Sequence, residues 1–286
     1  MMMSIANRSG WHRLLPVLVV SVMIIAGCAS YDGRSNLAAM PEFRADFLAG
    51  YLSPEATPSS LALLPPPPGT DSAAYVLDEE ISLRSFVLRD TPRWLLAISD
   101  ADQTFPHAAG TFSCALNAPV TESDTPHLYM LLRRSMTDLG RSTATAKNQY
   151  NRTRPFVLNK EPICTPDDKE LLEKNGSYPS GHTAIGWGWA LILSEVSPGQ
   201  IDAILARGLS FGESRNVCNV HWHSDVVQGR IIASGTVARL HAEPAFRADL
   251  EAARAELAAV RNKGLKPTRD CSAEAAALAV QPSLPQ

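Results

Sequence analysis

The sequence carries no excess of positive charge. Its 286 residues include 26 lysines and arginines against 29 aspartates and glutamates, which gives a formal net charge of −3 at pH 7. Proteins that bind nucleic acid present a basic surface, so this balance argues against a nucleic-acid binder. Any site for an anionic ligand must therefore be a local cluster of cations.

Long apolar runs are absent after residue 27, which argues against a protein built from several membrane-spanning helices. The one apolar run, Leu14 to Ile25, is short for a span. It follows Arg8 and Arg13 and leads into small residues, as in an export signal. We therefore predict a signal peptide over residues 1–27 and an exported, periplasmic protein.

The predicted signal ends in Ile25-Ala26-Gly27-Cys28, which resembles the lipobox of bacterial lipoproteins. In that motif, cleavage precedes the cysteine, which then becomes lipid-modified. The resemblance implies a lipid anchor at Cys28. In a Gram-negative cell, Ala29 at the next position implies sorting to the outer membrane. The alternative is an ordinary cleaved signal with an incidental cysteine.

Cysteine is scarce, with five residues in the chain. Besides Cys28, these are Cys114, Cys164, Cys218 and Cys271, which allow three pairings that the sequence alone does not separate. Four free thiols would be expected in a cytosolic protein. In an exported protein we expect at least one disulfide.

The sequence also shows almost no alternating strand pattern, no internal repeat and no linker after residue 70. Residues 28–70 form an N-terminal segment, with one short helix predicted over 36–51. The run Pro65 to Pro68 must be extended, because proline has no N–H for a helix or sheet, and we expect it to lie on the domain surface. The remaining patterns predict one all-α domain over residues 71–262.

Apolar residues at helical spacing predict the helices of this domain. They cover residues 71–88, 180–196, 200–215, 221–241 and 244–260. A further helix begins at residue 124, breaks near Gly140 and resumes towards Lys147. Shorter apolar turns are expected at 94–98 and 111–116. Residues 263–286 are predicted to be a C-terminal tail with no clear element after Cys271.

Three stretches between residues 147 and 225 carry the candidate chemistry. Lys147, Arg154 and Arg215 supply three cationic donors, and each arginine can place two hydrogen bonds on phosphoryl oxygens. Ser180-Gly181-His182 opens a predicted helix, whose free N–H groups and dipole favour an anion. The pattern indicates a phosphate site.

His221 and Asp225 are spaced for proton or covalent work. If the helix begins near His221, Asp225 lies one turn further along the same face. It can then accept the proton of one ring nitrogen and leave the other bare and nucleophilic. An isolated pair of this kind is more often a surface pair or half of a metal site. The surrounding cations favour an anionic ligand over a metal.

Taken together, Lys-x6-Arg-Pro, Pro-Ser-Gly-His and Ser-Arg-x5-His-x3-Asp resemble the three-part signature of the type 2 phosphatidic acid phosphatase superfamily. Residues 176–183 match the Gly-Ser-Tyr-Pro-Ser-Gly-His-Thr signature of bacterial class A non-specific acid phosphatases. The similarity runs from the proline run to about residue 262. It implies a single helical-bundle domain of the acid phosphatase/vanadium haloperoxidase type.

The resemblance implies a role for each motif residue. His221 is the nucleophile that forms a phosphohistidine, Asp225 orients it, and His182 protonates the leaving oxygen and then activates water. His223 is left out, because it would point away from His221 on a shared helix. The residues implied to bind phosphate are Lys147, Arg154, Ser180, Gly181 and Arg215. No metal or other cofactor is implied.

The resemblance also bears on the disulfides. It places Cys164 and Cys218 near the active-site loops, which implies that they pair and leaves Cys114 and Cys271 as the second pair.

The expected function is hydrolysis of small-molecule phosphate monoesters with broad specificity, without nucleic-acid partners and with a homo-oligomer left open. The first alternative is a vanadium-dependent haloperoxidase, which shares the three motifs. The short chain and the Gly-Ser-Tyr before Pro179 favour the phosphatase. The second alternative is a non-catalytic outer-membrane lipoprotein, against which stands the complete set of expected site residues.

Overall fold

The computed structural model describes residues 42–44 and 47–280, which contain thirteen α-helices and one pair of short antiparallel strands. The predicted all-α class is therefore confirmed. The predicted lipobox cysteine, Cys28, lies outside the described residues. The elements are β1 (Glu42–Arg44), β2 (Phe47–Leu48), α1 (Ser60–Leu63), α2 (Ala73–Ser85), α3 (Pro92–Ala101), α4 (Ser113–Leu116), α5 (Pro126–Ser142), α6 (Ala144–Tyr150), α7 (Pro155–Asn159), α8 (Lys169–Glu173), α9 (Gly181–Val196), α10 (Ile201–Val217), α11 (His223–Leu240), α12 (Pro244–Asn262) and α13 (Cys271–Ala279).

The centre of the bundle is α9, which packs against α5, α10, α11 and α12. Its sequence is apolar nearly all round, as expected for a helix enclosed by neighbours. Close approach to α10 depends on Gly186, because a Cβ there would lie 2.1 Å from the Phe211 ring. A central, tightly enclosed helix gives the residues at its N-terminus a fixed position.

The helix predicted over residues 36–51 is wrong where the structure describes it. Residues 42–44 and 47–48 instead form the antiparallel strands β1 and β2, and residues 36–41, 45 and 46 lie outside the described part. Contacts with α5 hold the segment that follows in a non-helical conformation. Thr137 donates to the Leu48 carbonyl over 2.8 Å, and the buried Asp138 carboxylate accepts the N–H groups of Tyr51 and Leu52. These long-range hydrogen bonds outweigh the local helix preference.

The helix predicted over residues 71–88 is present as α2, followed by a 3-10 turn at Phe86–Leu88. Its burial is unusual, because the side chains it buries are polar: Asp78, Ser82 and Ser85. Val76 and Leu83, in contrast, are 58% and 62% exposed. The apolar spacing thus identified the helix but not the face that packs on α10 and α11.

Two predicted boundaries are displaced at the site. The break expected near Gly140 falls at Thr143, between α5 and α6. The last long helix of the motif region, α11, begins at His223 rather than at His221, because Trp222 is still extended with φ −73° and ψ 157°. His221 therefore lies in the loop between α10 and α11.

The residues after Cys271 were predicted to have no clear element, and this is wrong. They form α13, whose N-cap Asp270 accepts the N–H groups of Ser272 and Ala273. A disulfide joins Cys271 to Cys114, and α13 packs on α3. The small apolar residues of this segment gain their order from the crosslink and from that packing.

The other disulfide joins Cys164 to Cys218, so both links are the pairs that the resemblance implied. The proline run has no helical residues and lies on the domain surface, where the Tyr178 hydroxyl donates to the Pro65 carbonyl. Within residues 42–44 and 47–280, no helix is long and apolar enough to cross a membrane.

Candidate active site

The loops and helix ends around the N-terminus of α9 bring the predicted site residues together. Lys147 lies on α6, Arg154 precedes α7, and Ser180 precedes α9, where Gly181 and His182 begin the helix. Arg215 lies in the last turn of α10, His221 in the next loop and Asp225 in the first turn of α11. Residues 78 positions apart in sequence thus meet at one end of the central helix.

Asp225 positions the His221 ring. Its Oδ2 accepts the Trp222 N–H over 2.9 Å and lies 3.3 Å from His221 Nδ1. On the other side of the ring, Arg154 Nη1 lies 3.1 Å from His221 Nε2. A guanidinium can only donate, so Nε2 must be the bare nitrogen and Nδ1 must carry the proton. This tautomer leaves a lone pair on Nε2 at the centre of the cationic cluster.

His221 is kept neutral. Burial lowers the pKa of its imidazole well below the ordinary value, and the charges of Arg154, Lys147 and Arg215 act in the same direction. A second proton on the ring would add a fourth positive charge to a buried cluster. The ring therefore stays neutral, with Nε2 unprotonated and so nucleophilic, into the acidic range.

His182 is oriented by the end of α3. Its Nε2 lies 3.1 Å from the Ala101 carbonyl oxygen, which can only accept, so Nε2 carries a proton and Nδ1 remains to exchange one. Burial lowers the pKa of this imidazole well below the ordinary value, and Arg215 lowers it further. His221 and Arg154 also act on it, which shows that the two histidines share one cationic environment.

Arg154 is built into the loops that surround it. Its Nε donates to the carbonyls of Leu172 and Asn175, at 2.9 and 3.0 Å, and Nη1 donates to Val220 O over 2.8 Å. Lys147 Nζ donates to Gly176 O over 2.8 Å. Burial lowers the pKa of Lys147 to about 7 and that of Arg154 to about 10.

Arg215 is the least satisfied cation of the site. It is 1% exposed, and its Nε and Nη1 have no hydrogen-bond partner among the described residues. Burial and the charge of Arg154 lower its pKa to about 10. A buried charge without a partner is strongly unfavourable, and an anion that accepts these two donors removes that penalty.

Ser214 explains why a serine stands before that arginine. Its hydroxyl donates to Asp100 over 2.6 Å and accepts from Arg93 Nη1 over 2.9 Å. Asp100 also pairs with the buried Arg207. This network fixes the last turns of α10, and so the position of Arg215.

The N-terminus of α9 supplies neutral donors. The Ser180 hydroxyl oxygen accepts from Thr183 N and from the Thr183 hydroxyl, at 3.2 and 2.9 Å. Both acceptor positions are then used, and the hydroxyl proton remains available to a ligand. The Ser180 N–H donates to the Asp225 carbonyl over 3.0 Å. Close approach of α11 requires Gly229, because a Cβ there would lie 2.7 Å from the Ser180 carbonyl oxygen.

The sequence reasoning missed Arg152 and Asp78. Arg152 Nη1 donates to Asp225 Oδ1, and its Nη2 donates to Asp78 Oδ2, both over 2.7 Å. A signal for Arg152 existed, since it lies inside the stretch between Lys147 and Arg154. None existed for Asp78, which comes from a distant helix with no motif.

Three other histidines in the described part of the chain are not part of the cluster. His223 begins α11 and is half-buried, His107 bonds to Ser99, and His241 pairs with Glu195 over 2.8 Å. Among the described residues, no group of three or more histidine, cysteine, aspartate or glutamate side chains is arranged to hold a metal. A cavity of about 770 Å³ lies between α2, α10 and α13, and none of the predicted catalytic or phosphate-binding residues lines it.

Comparison with known proteins agrees with this geometry. Residues 126–244 match the PAP2 superfamily. The chain is 44% identical over 212 residues to a non-specific acid phosphatase of Providencia stuartii, covering 74% of this chain and 86% of that protein. It is 42% identical over 214 residues to a non-specific acid phosphatase of Salmonella typhimurium, with the same coverage. An acid phosphatase of Zymomonas mobilis is 44% identical over 211 residues, covering 72% of this chain and 78% of the relative.

These relatives are phosphatases, which favours that activity over a haloperoxidase or a non-catalytic lipoprotein. The chain belongs to the PAP2 superfamily and, within it, to the bacterial non-specific acid phosphatases, enzymes that hydrolyse phosphate monoesters.

Proposed function

We propose that this acid phosphatase works through a phosphohistidine at His221, with Lys147, Arg154, Arg215, Ser180 and the Gly181 N–H as the phosphate ligands. The observation that carries the proposal is the pairing of a neutral His221 with the two unpartnered donors of buried Arg215. A nucleophile and an anion site then share one pocket. The group that satisfies both is a phosphoryl group.

In the first step, the bare Nε2 of His221 attacks phosphorus opposite the ester oxygen. An N–P bond forms and the P–O ester bond breaks. His182 gives the proton on Nδ1 to the departing oxygen, while Nε2–H stays on the Ala101 carbonyl. His182 must bind a proton first, and a phosphate dianion next to it favours that proton by opposing the charge of Arg215.

In the second step, water attacks the phosphohistidine. His182, now neutral, accepts a proton from the water, and the N–P bond breaks as inorganic phosphate forms. Asp225 stabilises the positive charge that His221 carries while it is phosphorylated, because its Oδ2 faces Nδ1. Lys147, Arg154 and Arg215 oppose the charge on the phosphoryl oxygens, the task that Mg²⁺ performs in kinases.

The pKa values fit activity in acid. Lys147 has a pKa of about 7, so it is charged below pH 7 and loses its charge above it. His221 remains neutral well below its ordinary pKa. Below neutrality, therefore, the cationic ligands are complete and the nucleophile is still unprotonated.

Broad specificity is also proposed. Every group assigned to the substrate above acts on the phosphoryl oxygens, phosphorus or the ester oxygen, and none is assigned to the rest of the alcohol. The relatives are themselves named non-specific acid phosphatases. Nucleotides, sugar phosphates and similar monoesters are the expected substrates. A homo-oligomer stays a prediction, which light scattering after size exclusion tests.

For localisation, we propose export to the periplasm with a lipid anchor at Cys28, supported by the lipobox-like Ile25-Ala26-Gly27-Cys28. A lipid-modified cysteine that carries two or three acyl chains suffices to hold a folded domain at a membrane surface, because stable anchoring needs at least two inserted chains. The catalytic domain over residues 71–262 contains every residue assigned to the reaction.

Hydrolysis of p-nitrophenyl phosphate from pH 4 to 8, with and without EDTA, tests the function. We expect hydrolysis in acid that EDTA leaves unchanged, with competitive inhibition by orthovanadate, whose five-coordinate adduct with His221 mimics the transition state. Loss of activity in EDTA that Mg²⁺ or Zn²⁺ restores would contradict the proposed mechanism. Oxidation of bromide by peroxide in the presence of vanadate would instead support the haloperoxidase.

A further inference from the structure

The carboxylate that orients His221 is itself held by a buried chain of charges. Asp225 Oδ2 is shared by His221 and Trp222 N, whereas Oδ1 accepts only from Arg152 among the bonds described. Arg152 therefore fixes the rotation of the Asp225 carboxylate about its side-chain bond. If Arg152 moved, Oδ1 and Oδ2 could turn away from the imidazole without breaking any backbone hydrogen bond except that of Trp222.

Arg152 is held in turn by Asp78. The Asp78 side chain is 1% exposed and lies 2.7 Å from Arg152 Nη2. Asp78 Oδ1 accepts the Ser224 N–H over 2.7 Å, and Oδ2, the oxygen that Arg152 binds, also accepts from the Ser224 hydroxyl over 2.6 Å. Asp78 thus fixes both the guanidinium and the first turn of α11, from which Asp225 projects.

The order of charges matters as well as the geometry. Reading outward from the nucleophile, the chain is His221, Asp225, Arg152, Asp78. A guanidinium at 2.7 Å would by itself cancel much of the field of Asp225 at His221. A second carboxylate behind Arg152 restores a net negative charge to the group, in a region where water does not screen it.

Burial of a carboxylate on α2 has no explanation in packing alone. This helix exposes Val76 and Leu83 while it buries Asp78. An aspartate would be a poor choice for an apolar contact with α11, because an unpaired buried charge is strongly unfavourable. Its three donors come from Arg152 and Ser224, both adjacent to the catalytic loop.

We propose that Asp78, acting through Arg152, is a positioning residue that sets the orientation and charge of Asp225 behind the His221 nucleophile. The proposal rests on the function proposed above for His221. It gives α2 a role in the reaction, although α2 carries none of the residues assigned to the substrate.

The experiment compares Asp78→Asn with wild type in p-nitrophenyl phosphate hydrolysis and in inhibition by two anions. We expect kcat to fall by up to about 10²-fold, the loss typical of a catalytic group misplaced by 1 Å. KM and the inhibition constant of inorganic phosphate should stay near wild type, because Lys147, Arg154 and Arg215 are untouched. The inhibition constant of orthovanadate should rise together with the fall in kcat, because vanadate bonds to His221.

The matched control is Asp249→Asn, which removes the carboxylate of another arginine ion pair, Arg134–Asp249 at 3.0 Å. This pair joins α5 to α12, and neither helix carries a residue assigned to the reaction. It should change thermal stability without changing the ratio of the vanadate and phosphate inhibition constants. The proposal is overturned if Asp78→Asn behaves like this control, with the kcat of wild type and an unchanged ratio of the vanadate and phosphate inhibition constants.

A double-mutant cycle tests whether Asp78 acts through Arg152. Asp78→Asn should lower kcat much less in an Arg152→Gln background than in wild type. Equal losses in both backgrounds overturn the proposed route. If Asp78→Asn does not fold, Ser224→Ala takes its place. This variant lacks the hydroxyl that contacts both Arg152 and Asp78. It should raise the ratio of the vanadate inhibition constant to the phosphate inhibition constant, as expected for Asp78→Asn. An unchanged ratio there overturns the proposal equally.

The two proposals fail in different ways. If wild type is not inhibited by vanadate, or if His221→Ala retains turnover, the mechanism assigned to the site is wrong. If wild type behaves as expected but the Asp78 and Ser224 variants leave kcat and the ratio of inhibition constants unchanged, the mechanism at His221 is supported and the positioning role of Asp78 is wrong.

Discussion

Lys147 should set the alkaline limit of activity. Its pKa falls from the ordinary 10.5 to about 7, first because the ammonium is buried and second because Arg154 repels it, with Asp225 opposing. This fall corresponds to about 5 kcal/mol of differential interaction, at about 1.4 kcal/mol per pKa unit. The pKa is lowered because the surroundings disfavour the charged form of Lys147. The side chain is therefore protonated and able to bind phosphate below pH 7, and it becomes neutral as pH rises above 7.

The perturbation is Lys147→Arg, which keeps the positive charge at every pH in the assay. In wild type the protonated fraction of Lys147 falls from about 0.9 at pH 6 to about 0.1 at pH 8, so kcat/KM should fall about tenfold over that interval. In the variant this fall should be absent, since the guanidinium does not titrate there. The absolute activity of the variant should be lower, because the arginine fork differs in shape from an ammonium.

The assay is kcat/KM for p-nitrophenyl phosphate from pH 4 to 9 at constant ionic strength, which reports the ionisation of free enzyme and free substrate. The substrate titrates identically with both enzymes, so the ratio of the two profiles isolates Lys147. Lys174→Arg, an exchange at an exposed site, is the matched control and should leave the profile unchanged. An alkaline limb that is the same in Lys147→Arg as in wild type would refute the reasoning.

Three further predictions follow from the site, the leader and the crosslinks. His182→Ala should lose about 10² to 10⁴-fold in phosphorylation by glycerol phosphate and much less with p-nitrophenyl phosphate, whose leaving group needs little protonation; equal losses in rapid-mixing kinetics would contradict the acid role. Cys28→Ala should release the protein from membranes or block its processing, and a wild-type protein that fractionates as fully soluble would count against the anchor. Cys271→Ser should lower the free energy of unfolding by about 3 to 5 kcal/mol, because the link to Cys114 closes a loop of 157 residues. A denaturation midpoint equal to that of wild type under oxidising conditions would show that the crosslink does not form.

Two of the motif residues, Ser180 and Arg154, could be placed from sequence because each directly precedes the start of a helix. Ser180 precedes a strongly apolar helix, and its apolar run alone marks α9 as central. Arg154 stands before a proline that begins α7. For these residues, local pattern and three-dimensional position agree.

Other features depend on contacts between distant parts of the chain. Asp78 is paired with residues 74 and 146 positions away, and its helix gives no sign of which face is buried. The strand pair β1–β2 is likewise held by α5, and the helix α13 by the link to Cys114. Boundaries such as the start of α11 were displaced because Asp225 accepts the Trp222 N–H and keeps His221 outside the helix.

The most direct test of the account is detection of the covalent intermediate. Wild-type enzyme mixed rapidly with ³²P-labelled substrate and quenched under conditions that preserve phosphohistidine should carry label on His221, in a burst that does not exceed one phosphate per chain. His221→Ala should carry no label and have no turnover with any leaving group, while still binding inorganic phosphate through Arg154 and Arg215. Label retained by His221→Ala, or a peptide map that places it on any residue other than His221, would contradict the central claim.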